Sequence, residues 1–161
     1  MKRWLAPITL AAAAALSASA GPAFAAATPT PVDPTPFPIA CPTFNLQAQL
    51  SGKGGTIVLP GNRTFFTGPN LRITLTGPAP TFKTVTYVIT GLTKVTTLPD
   101  GSFDVTATGR NTIIVPEANG HPAGLFLTTG TMHWTLNADG TERTRFSGNG
   151  TETDVCQLLA P

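Results

Sequence analysis

The sequence predicts an all-β protein, specifically an antiparallel β-sandwich closed by one disulfide. Three observations predict it: apolar and polar residues alternate along many short runs, turn residues separate those runs, and the chain holds two cysteines. Alternation with a period of two is typical of strands that have one buried face and one solvated face. Glycine and proline, at 16 residues each, argue against a helical bundle. A small β-barrel is the alternative architecture, because many short antiparallel strands suit both folds.

The first 25 residues have the pattern of a secretory signal peptide. Residues 1–3 give a positive start, residues 4–16 form a short apolar run, and an A-x-A cleavage pattern ends at Ala25. The apolar run is too short to span a bilayer. We therefore expect cleavage after Ala25, with Ala20 and Ala27 as alternative sites, no membrane insertion afterwards, and a secreted, extracellular protein.

Cleavage would also change the net charge of the protein. The formal charge of +2 includes Lys2 and Arg3, and without residues 1–25 the chain holds eight basic and eight acidic residues. About one residue in five of that remainder is threonine, whose hydroxyl keeps a surface polar without charge. A neutral chain with no run of Lys or Arg lacks the electrostatic footprint of a nucleic-acid-binding protein. We therefore expect no nucleic-acid partner.

A proline-rich segment precedes the predicted β-domain. Six of the fifteen residues from Thr28 to Pro42 are proline, which has no backbone N–H and a fixed φ. Such a segment is typical of an extended polyproline-II spacer. The sequence therefore predicts a linker over residues 26–42 and a β-sandwich domain over residues 43–161.

Ten short strands are predicted in that domain. Each is an alternating or β-branched run bounded by turn signals such as Asp100-Gly101 and Asp139-Gly140, which suit tight hairpins. The longest carries a glycine, Gly130, at which it could break. The predicted strands are 44–50, 55–59, 63–67, 70–76, 83–90, 93–98, 102–109, 112–115, 124–136 and 142–155.

The two cysteines bracket the β region. Cys41 precedes the first predicted strand and Cys156 lies at the end of the last, 115 residues later. In an exported chain, pairing is the default. The chain-entropy model assigns a loop of that length about 4–5 kcal/mol of stabilisation. The sequence therefore predicts a Cys41–Cys156 disulfide that ties the two ends of the domain together.

The residues that commonly carry catalysis show no recognisable constellation. The three serines after residue 25, Ser51, Ser102 and Ser147, lie outside any G-x-S-x-G pattern. His121 lies in a loop and His133 on the polar face of a strand, and the carboxylates are scattered. We therefore expect no catalytic residues, no metal site and no cofactor, and an enzyme is the less favoured interpretation.

Candidate binding residues come from loops and aromatics. Polar groups that follow well-defined strands make Arg110, Asn111 and His121 the candidates for a ligand site. Tyr87 and Trp134 fall on the apolar sides of their strands, which favours core packing. Consecutive phenylalanines at positions 65 and 66 point to opposite faces, so one of the two rings is expected to be exposed.

Several segments resemble a set of uncharacterised secreted proteins of actinomycete-type bacteria. They are the alanine-rich signal, Gly68–Thr76, the Thr108–Asn111 turn, Gly124–Gly130 and the ending Asp154–Ala160. The resemblance implies export and a β-domain closed by the terminal cysteine. It implies no activity and no catalytic residues.

These observations favour a secreted, non-enzymatic extracellular domain that acts as a cell-surface or protein-interaction module. Its partner would be the cell wall or another extracellular protein. The first alternative is a carbohydrate- or cell-wall-binding module, which would present an exposed strip of aromatic rings. The second is a small secreted hydrolase, which would gather His121 or His133 with a carboxylate or serine within hydrogen-bond reach.

Overall fold

The computed structural model describes residues 28–161, so the predicted signal peptide, residues 1–25, lies outside the described range. Within that range the chain forms twelve strands and one short helix. The paired strands are all antiparallel, and they build two sheets that do not close into a barrel. The predicted antiparallel sandwich is confirmed. The elements are β1 (Thr30–Pro31), β2 (Phe37–Ala40), β3 (Asn45–Ser51), β4 (Lys53–Leu59), β5 (Arg63–Thr67), β6 (Arg72–Thr76), β7 (Thr84–Val88), β8 (Leu92–Thr97), β9 (Phe103–Thr108), β10 (Asn111–Val115), β11 (Gly124–Leu136), β12 (Glu142–Asp154) and α1 (Val155–Leu158).

The ten predicted strands correspond to β3–β12, with each end within two residues of its expected place. The break considered near Gly130 does not occur, since β11 is continuous through it. Helix α1 was not expected. It begins where the Asp154 carboxylate accepts a hydrogen bond from the backbone N–H of Gln157, at 2.9 Å, which satisfies a donor that the first helical turn would leave free.

The proline-rich segment differs from the expected linker. Strand β2 lies within residues 26–42 and pairs with β3 at the edge of the smaller sheet, and β1 pairs with β4. Ile39 is only 2% exposed and belongs to the core. An edge strand has one side without ladder hydrogen bonds, so it tolerates a residue such as Pro38 that lacks an N–H. The packed domain therefore begins several residues before position 43.

The smaller sheet has the strand order β2-β3-β6-β7 and covers the main core. Its inward side chains, among them Leu46 and Leu75, pack against α1 and the first half of β11. The predicted Cys41–Cys156 disulfide is present, and both of its cysteines are buried in this core. The bond therefore fastens the segment before β3 to α1.

The larger sheet is organised around β11. Its order is β1-β4-β5-β8-β9-β11-β10, and β12 pairs with the opposite side of β11. Strand β10 pairs with residues 124–128 of β11 and β9 with residues 131–136, so the two lie end to end along one edge. Strand β12 follows nearly the whole length of β11 on the other edge. Both β10 and β12 are thus terminal strands within residues 28–161.

The larger sheet folds back on itself near the middle of β11. Phe146 is next to Ser147, which pairs with His133 of β11. His133 lies seven residues from Phe126 along β11, so in a straight sheet roughly 23 Å would separate Phe126 from this level of β12. The rings of Phe126 and Phe146 nevertheless meet edge to face, with centroids 5.3 Å apart. A second, smaller core lies inside this bend and comprises Ile113, Val115, Met132 and Phe146, with Phe126 and Trp134 packed against it.

Glycines allow the backbones to approach each other at the bend. Gly130 and Gly150 are directly paired, and a Cβ on either would collide with a backbone carbonyl of the neighbouring strand. In the same row across the sheet, Gly109 donates a hydrogen bond to the Gly130 carbonyl at 2.8 Å. A Cβ on Gly109 would approach the Cα of Gly91. Glycine in a strand commonly marks such a close approach or bend.

Candidate functional site

An apolar groove lies between the two sheets. It has a volume of about 270 Å³, and no charged side chain lines it. Phe66 and Ile114 stand out because they are large apolar residues that are 46% and 57% exposed. The lining residues are Phe37, Leu50, Phe66, Thr67, Gly68, Leu71, Ile73, Ile89, Gly91, Thr93, Asn111, Thr112 and Ile114. An apolar concavity with a few polar groups is the usual form of a ligand site.

Strand alternation places the two exposed residues at the groove. Phe65 and Phe66 point to opposite faces of β5, which confirms that one of the two rings is exposed. On β10, Ile113 and Val115 are buried in the small core, so Ile114 between them must point away from it. Three consecutive apolar residues on a terminal strand were the sequence signal for this exposed side chain, and it was missed.

Asn111 borders the groove, whereas Arg110 does not line it. The Asn111 amide donates to the Thr108 carbonyl at 2.9 Å, and a Cβ on Gly91 would collide with that amide. The Arg110 side chain is exposed, and its carbonyl accepts from the Gly91 N–H at 2.9 Å. Asn111 thus forms a polar margin of the groove, and Arg110 contributes only a backbone hydrogen bond to Gly91.

His121 lies in a different place, beside a buried carboxylate. Its Nε2 is 2.7 Å from Oε1 of Glu142, and its Nδ1 is 3.1 Å from the carbonyl oxygen of Pro122. The Asn119 amide also donates to Glu142, to the carboxylate at 3.1 Å and to the backbone carbonyl at 3.2 Å. Glu142 is 9% exposed, so the pair is largely shielded from water.

This environment shifts the pKa values of both His121 and Glu142. Burial by itself raises the pKa of Glu142, but hydrogen bonds from His121 and Asn119 outweigh it and hold the pKa below its usual value. The hydrogen bonds to Glu142 and to the Pro122 carbonyl raise the pKa of His121. Both ring nitrogens face acceptors, which is the arrangement that a protonated imidazole satisfies with two N–H donors.

The predicted ligand residues therefore do not form one site. Asn111 begins β10 and His121 follows its end, and the strand alone separates them by about 13 Å. Glu142, the residue that completes the His121 cluster, was not anticipated. It lies 21 residues from His121 along the chain, and no short-range spacing connects the two.

The other residues considered for catalysis or sugar binding form hydrogen bonds with neighbouring residues or pack against the cores. The exposed His133 ring lies 3.1 Å from the Thr106 hydroxyl. Ser102 is buried and donates to the carboxylate of Asp100 in its turn. Tyr87 packs against the main core and Trp134 against the smaller one, as predicted, so neither ring forms an open stacking platform.

Residues 28–161 contain no group of three His, Cys, Asp or Glu side chains placed to hold a metal ion. In the same range, no helix has the length and apolar character needed to cross a bilayer. Comparison of the chain with family models, with curated proteins and with solved structures finds no match in any of the three.

Proposed function

We propose that the protein is an exported, non-enzymatic interaction module, and that the groove between its sheets binds an extended, uncharged segment of another extracellular protein. One observation carries the proposal. Of the five large apolar residues that are exposed within residues 28–161, two, Phe66 and Ile114, line the same uncharged concavity. Exposed apolar groups that converge on one groove are typical of an interaction site.

The backbone beside the groove supports an extended occupant. Strand β10 is terminal in its sheet, and Asn111, Thr112 and Ile114 on it line the groove. A terminal strand offers backbone N–H and C=O groups to an added strand, and pockets then select alternate side chains of that strand. An uncharged lining would leave a charged side chain without a partner, so the preferred segment carries apolar residues at alternate positions.

Two features support export. The first 25 residues have the pattern of a secretory signal peptide, and Cys41 and Cys156 form a disulfide of the kind that persists in oxidising environments. Recovery of the oxidised protein from culture medium, with its N-terminus at Ala26, Gly21 or Thr28, would identify the cleavage site among the three expected.

The groove is tested with a defined peptide and two matched variants. The probe is a capped, fluorescein-labelled heptapeptide of alternating Thr and Ile, titrated with the purified oxidised protein and followed by fluorescence anisotropy. We expect saturable binding that Ile114→Glu weakens at least about tenfold, because it places a charge in an apolar contact. Val58→Glu, which changes an exposed apolar residue outside the groove, is expected to leave binding unchanged.

Other results would favour the alternatives. A peptide that fails to bind, or binding that Ile114→Glu and Val58→Glu weaken equally, would contradict the groove proposal. Binding of soluble peptidoglycan fragments that Phe66→Ser abolishes would favour a carbohydrate-binding module. Hydrolytic activity that His121→Gln abolishes would favour a hydrolase, although the ring nitrogens of His121 already face Glu142 and Pro122.

A further inference from the structure

The longest exposed edge in the described chain belongs to β12. This strand runs for thirteen residues, from Glu142 to Asp154, and all of them are exposed except Glu142 and Phe146. It pairs with β11 on one side, and within residues 28–161 no strand pairs with its other side. Roughly half of its backbone N–H and C=O groups therefore point outward without a ladder partner.

The exposed charged side chains along this edge are basic in the first half of β12 and acidic in the second half. Arg143 and Arg145 are the exposed charged residues in the first half of β12, where Glu142 is buried and paired with His121, and Glu152 and Asp154 lie in the second half. Natural edges often carry charges of one sign, which repel a second copy. Two β12 strands that pair antiparallel instead bring the basic half of each against the acidic half of the other. The edge is therefore complementary in charge to itself.

The bend of the larger sheet lies at the middle of β12, where a two-fold axis between two paired β12 strands would pass. Gly148 and Gly150 flank Asn149 at the middle of β12, and both contact the bent part of β11. A two-fold axis through Asn149 places each Gly148 opposite Gly150 of the second copy. The two strands then bend at the same level and toward the same face, so the curved edges fit along their length.

Arg145 and Glu152 also lie on the same face of β12. Both line the concave surface at the bend, together with Phe146, Gly148 and Gly150. The Arg145 guanidinium lies over the rings of Phe126 and Phe146, at 5.3 and 5.5 Å from their centroids, which restricts its position. Within the described residues neither Arg145 nor Glu152 forms a salt bridge.

We propose that β12 pairs antiparallel with β12 of a second copy about a two-fold axis at Asn149, which makes the larger sheets of the two copies continuous. In this register Phe146 lies opposite Glu152 of the second copy. The irregular pairing between His133 and Thr135 places Arg145 beside Phe146, so Arg145 reaches the same carboxylate. Arg143, whose guanidinium is 3.5 Å from Asp100 in its own chain, then lies opposite Asp154 of the second copy, which also caps α1, so this second pair is secondary to Arg145 and Glu152.

The charge pairing is tested by sedimentation-velocity centrifugation over a range of protein concentrations. We expect the wild-type protein to sediment as a dimer, and Arg145→Glu or Glu152→Arg to sediment as a monomer. The double variant with both changes is expected to recover the dimer, because it reverses the polarity of each pair. Arg72→Glu, on an exposed side chain of β6, serves as the control and is expected to stay dimeric.

A cysteine placed at the axis tests the register. Equivalent residues meet only at the axis, where Cα atoms of directly opposed residues are about 4.5–5.5 Å apart and within reach of a disulfide. Asn149→Cys is therefore expected to form a covalent dimer on mild oxidation. Thr153→Cys, on the same face, would lie eight positions from its equivalent and is expected to stay uncrosslinked.

Three outcomes would overturn the proposal. They are a wild-type protein that is monomeric at every concentration, a dimer that neither charge reversal weakens, and equal crosslinking at positions 149 and 153. Near-ultraviolet circular dichroism of each variant distinguishes loss of the dimer from loss of folding. The double variant adds a second check, because a recovered dimer shows that both substitutions are compatible with the fold and that the charge pairing controls association.

Discussion

His121 and Glu142 form a hydrogen-bonded ion pair, with Nε2 of the imidazole 2.7 Å from Oε1 of the carboxylate. The pair joins the loop after β10 to the first residue of β12, and Asn119 holds the carboxylate from the same loop. Two backbone hydrogen bonds between Ala118 and His121 close the loop on itself, and the contacts with Glu142 hold it against the sheet. Their contribution depends on the charge of both partners.

We predict that this pair makes stability depend on pH. His121 has a higher pKa in the folded protein than its usual value of about 6.5, so its protonated form stabilises the fold. This stabilisation is fully present below about pH 6.5 and is lost as the pH rises through the pKa that His121 has in the folded protein. Glu142 has a lower pKa in the folded protein than its usual value of about 4.5, so its ionised form stabilises the fold. This stabilisation is fully present above about pH 4.5 and is lost as the pH falls through the pKa that Glu142 has in the folded protein. His121→Gln should therefore lower the melting temperature more at pH 5.5 than at pH 9.

The control for this prediction is His133→Gln, since His133 is exposed and lies beside the Thr106 hydroxyl rather than a carboxylate. Its effect on the melting temperature should be small, because the substitution removes no ion pair. Equal effects of His121→Gln at pH 5.5 and pH 9 would mean that the ion pair contributes nothing to stability.

Removal of the disulfide should destabilise the domain substantially. The bond closes a separation of 115 residues and lies in the main core, beside α1. We expect Cys41→Ser with Cys156→Ser to lower the free energy of unfolding by about 2–5 kcal/mol, as is usual for a native disulfide. Urea unfolding of the double variant and of the oxidised wild type measures this difference. A loss below about 1 kcal/mol would contradict a stabilising role.

Gly130 should tolerate a side chain much less well than Gly120. Both glycines have positive φ, +93° and +82°, so alanine is strained at either position. A Cβ on Gly130 would also collide with the Asn149 carbonyl, whereas no atom lies within 4 Å of a Cβ on Gly120. We expect Gly120→Ala to cost about 1–2 kcal/mol and Gly130→Ala at least about 2 kcal/mol more.

Thermal and urea unfolding of the two alanine variants provide the comparison. Equal costs would indicate that the backbones of β11 and β12 separate easily at the bend. A larger cost at Gly130 would confirm that the bend depends on their close approach.

Leu125 and Ile114 are cross-strand neighbours whose truncation should change stability by very different amounts. They are directly paired between β11 and β10, but Leu125 is 0% exposed in the main core whereas Ile114 faces the groove. We expect Leu125→Ala to cost about 2–5 kcal/mol, because it leaves a cavity. Ile114→Ala should change stability by less than about 0.5 kcal/mol. Comparable losses in urea unfolding would mean that Ile114 is part of the core.

Much of the fold was predictable because its determinants are local. The alternation along β11 predicted its bounds at residues 124 and 136, and the turn at Asp139-Gly140 separated it from β12. The disulfide followed from the presence of two cysteines in a chain with a signal pattern. Period-two alternation and turn chemistry act within a few residues, so they can be read without knowledge of the rest of the chain.

The candidate sites were less predictable because they join distant segments. Asn111 and His121 were both identified from their loops, but the sequence could not place them at opposite ends of β10 or pair His121 with Glu142. The proline content suggested a spacer, yet β2 is an edge strand, where the missing N–H has no cost on the outer side.

The sequence by itself determined the all-β class of the protein, strands β3–β12, its cysteine pair and its richness in threonine. The tertiary structure decided where the larger sheet bends, since Gly130 and Gly150 become neighbours only when β11 pairs with β12. It also decided which apolar residues stay exposed, because burial of Ile114 depends on what lies across the groove rather than on its own strand. Contacts between remote segments depend on the packing of whole sheets, which local patterns do not encode.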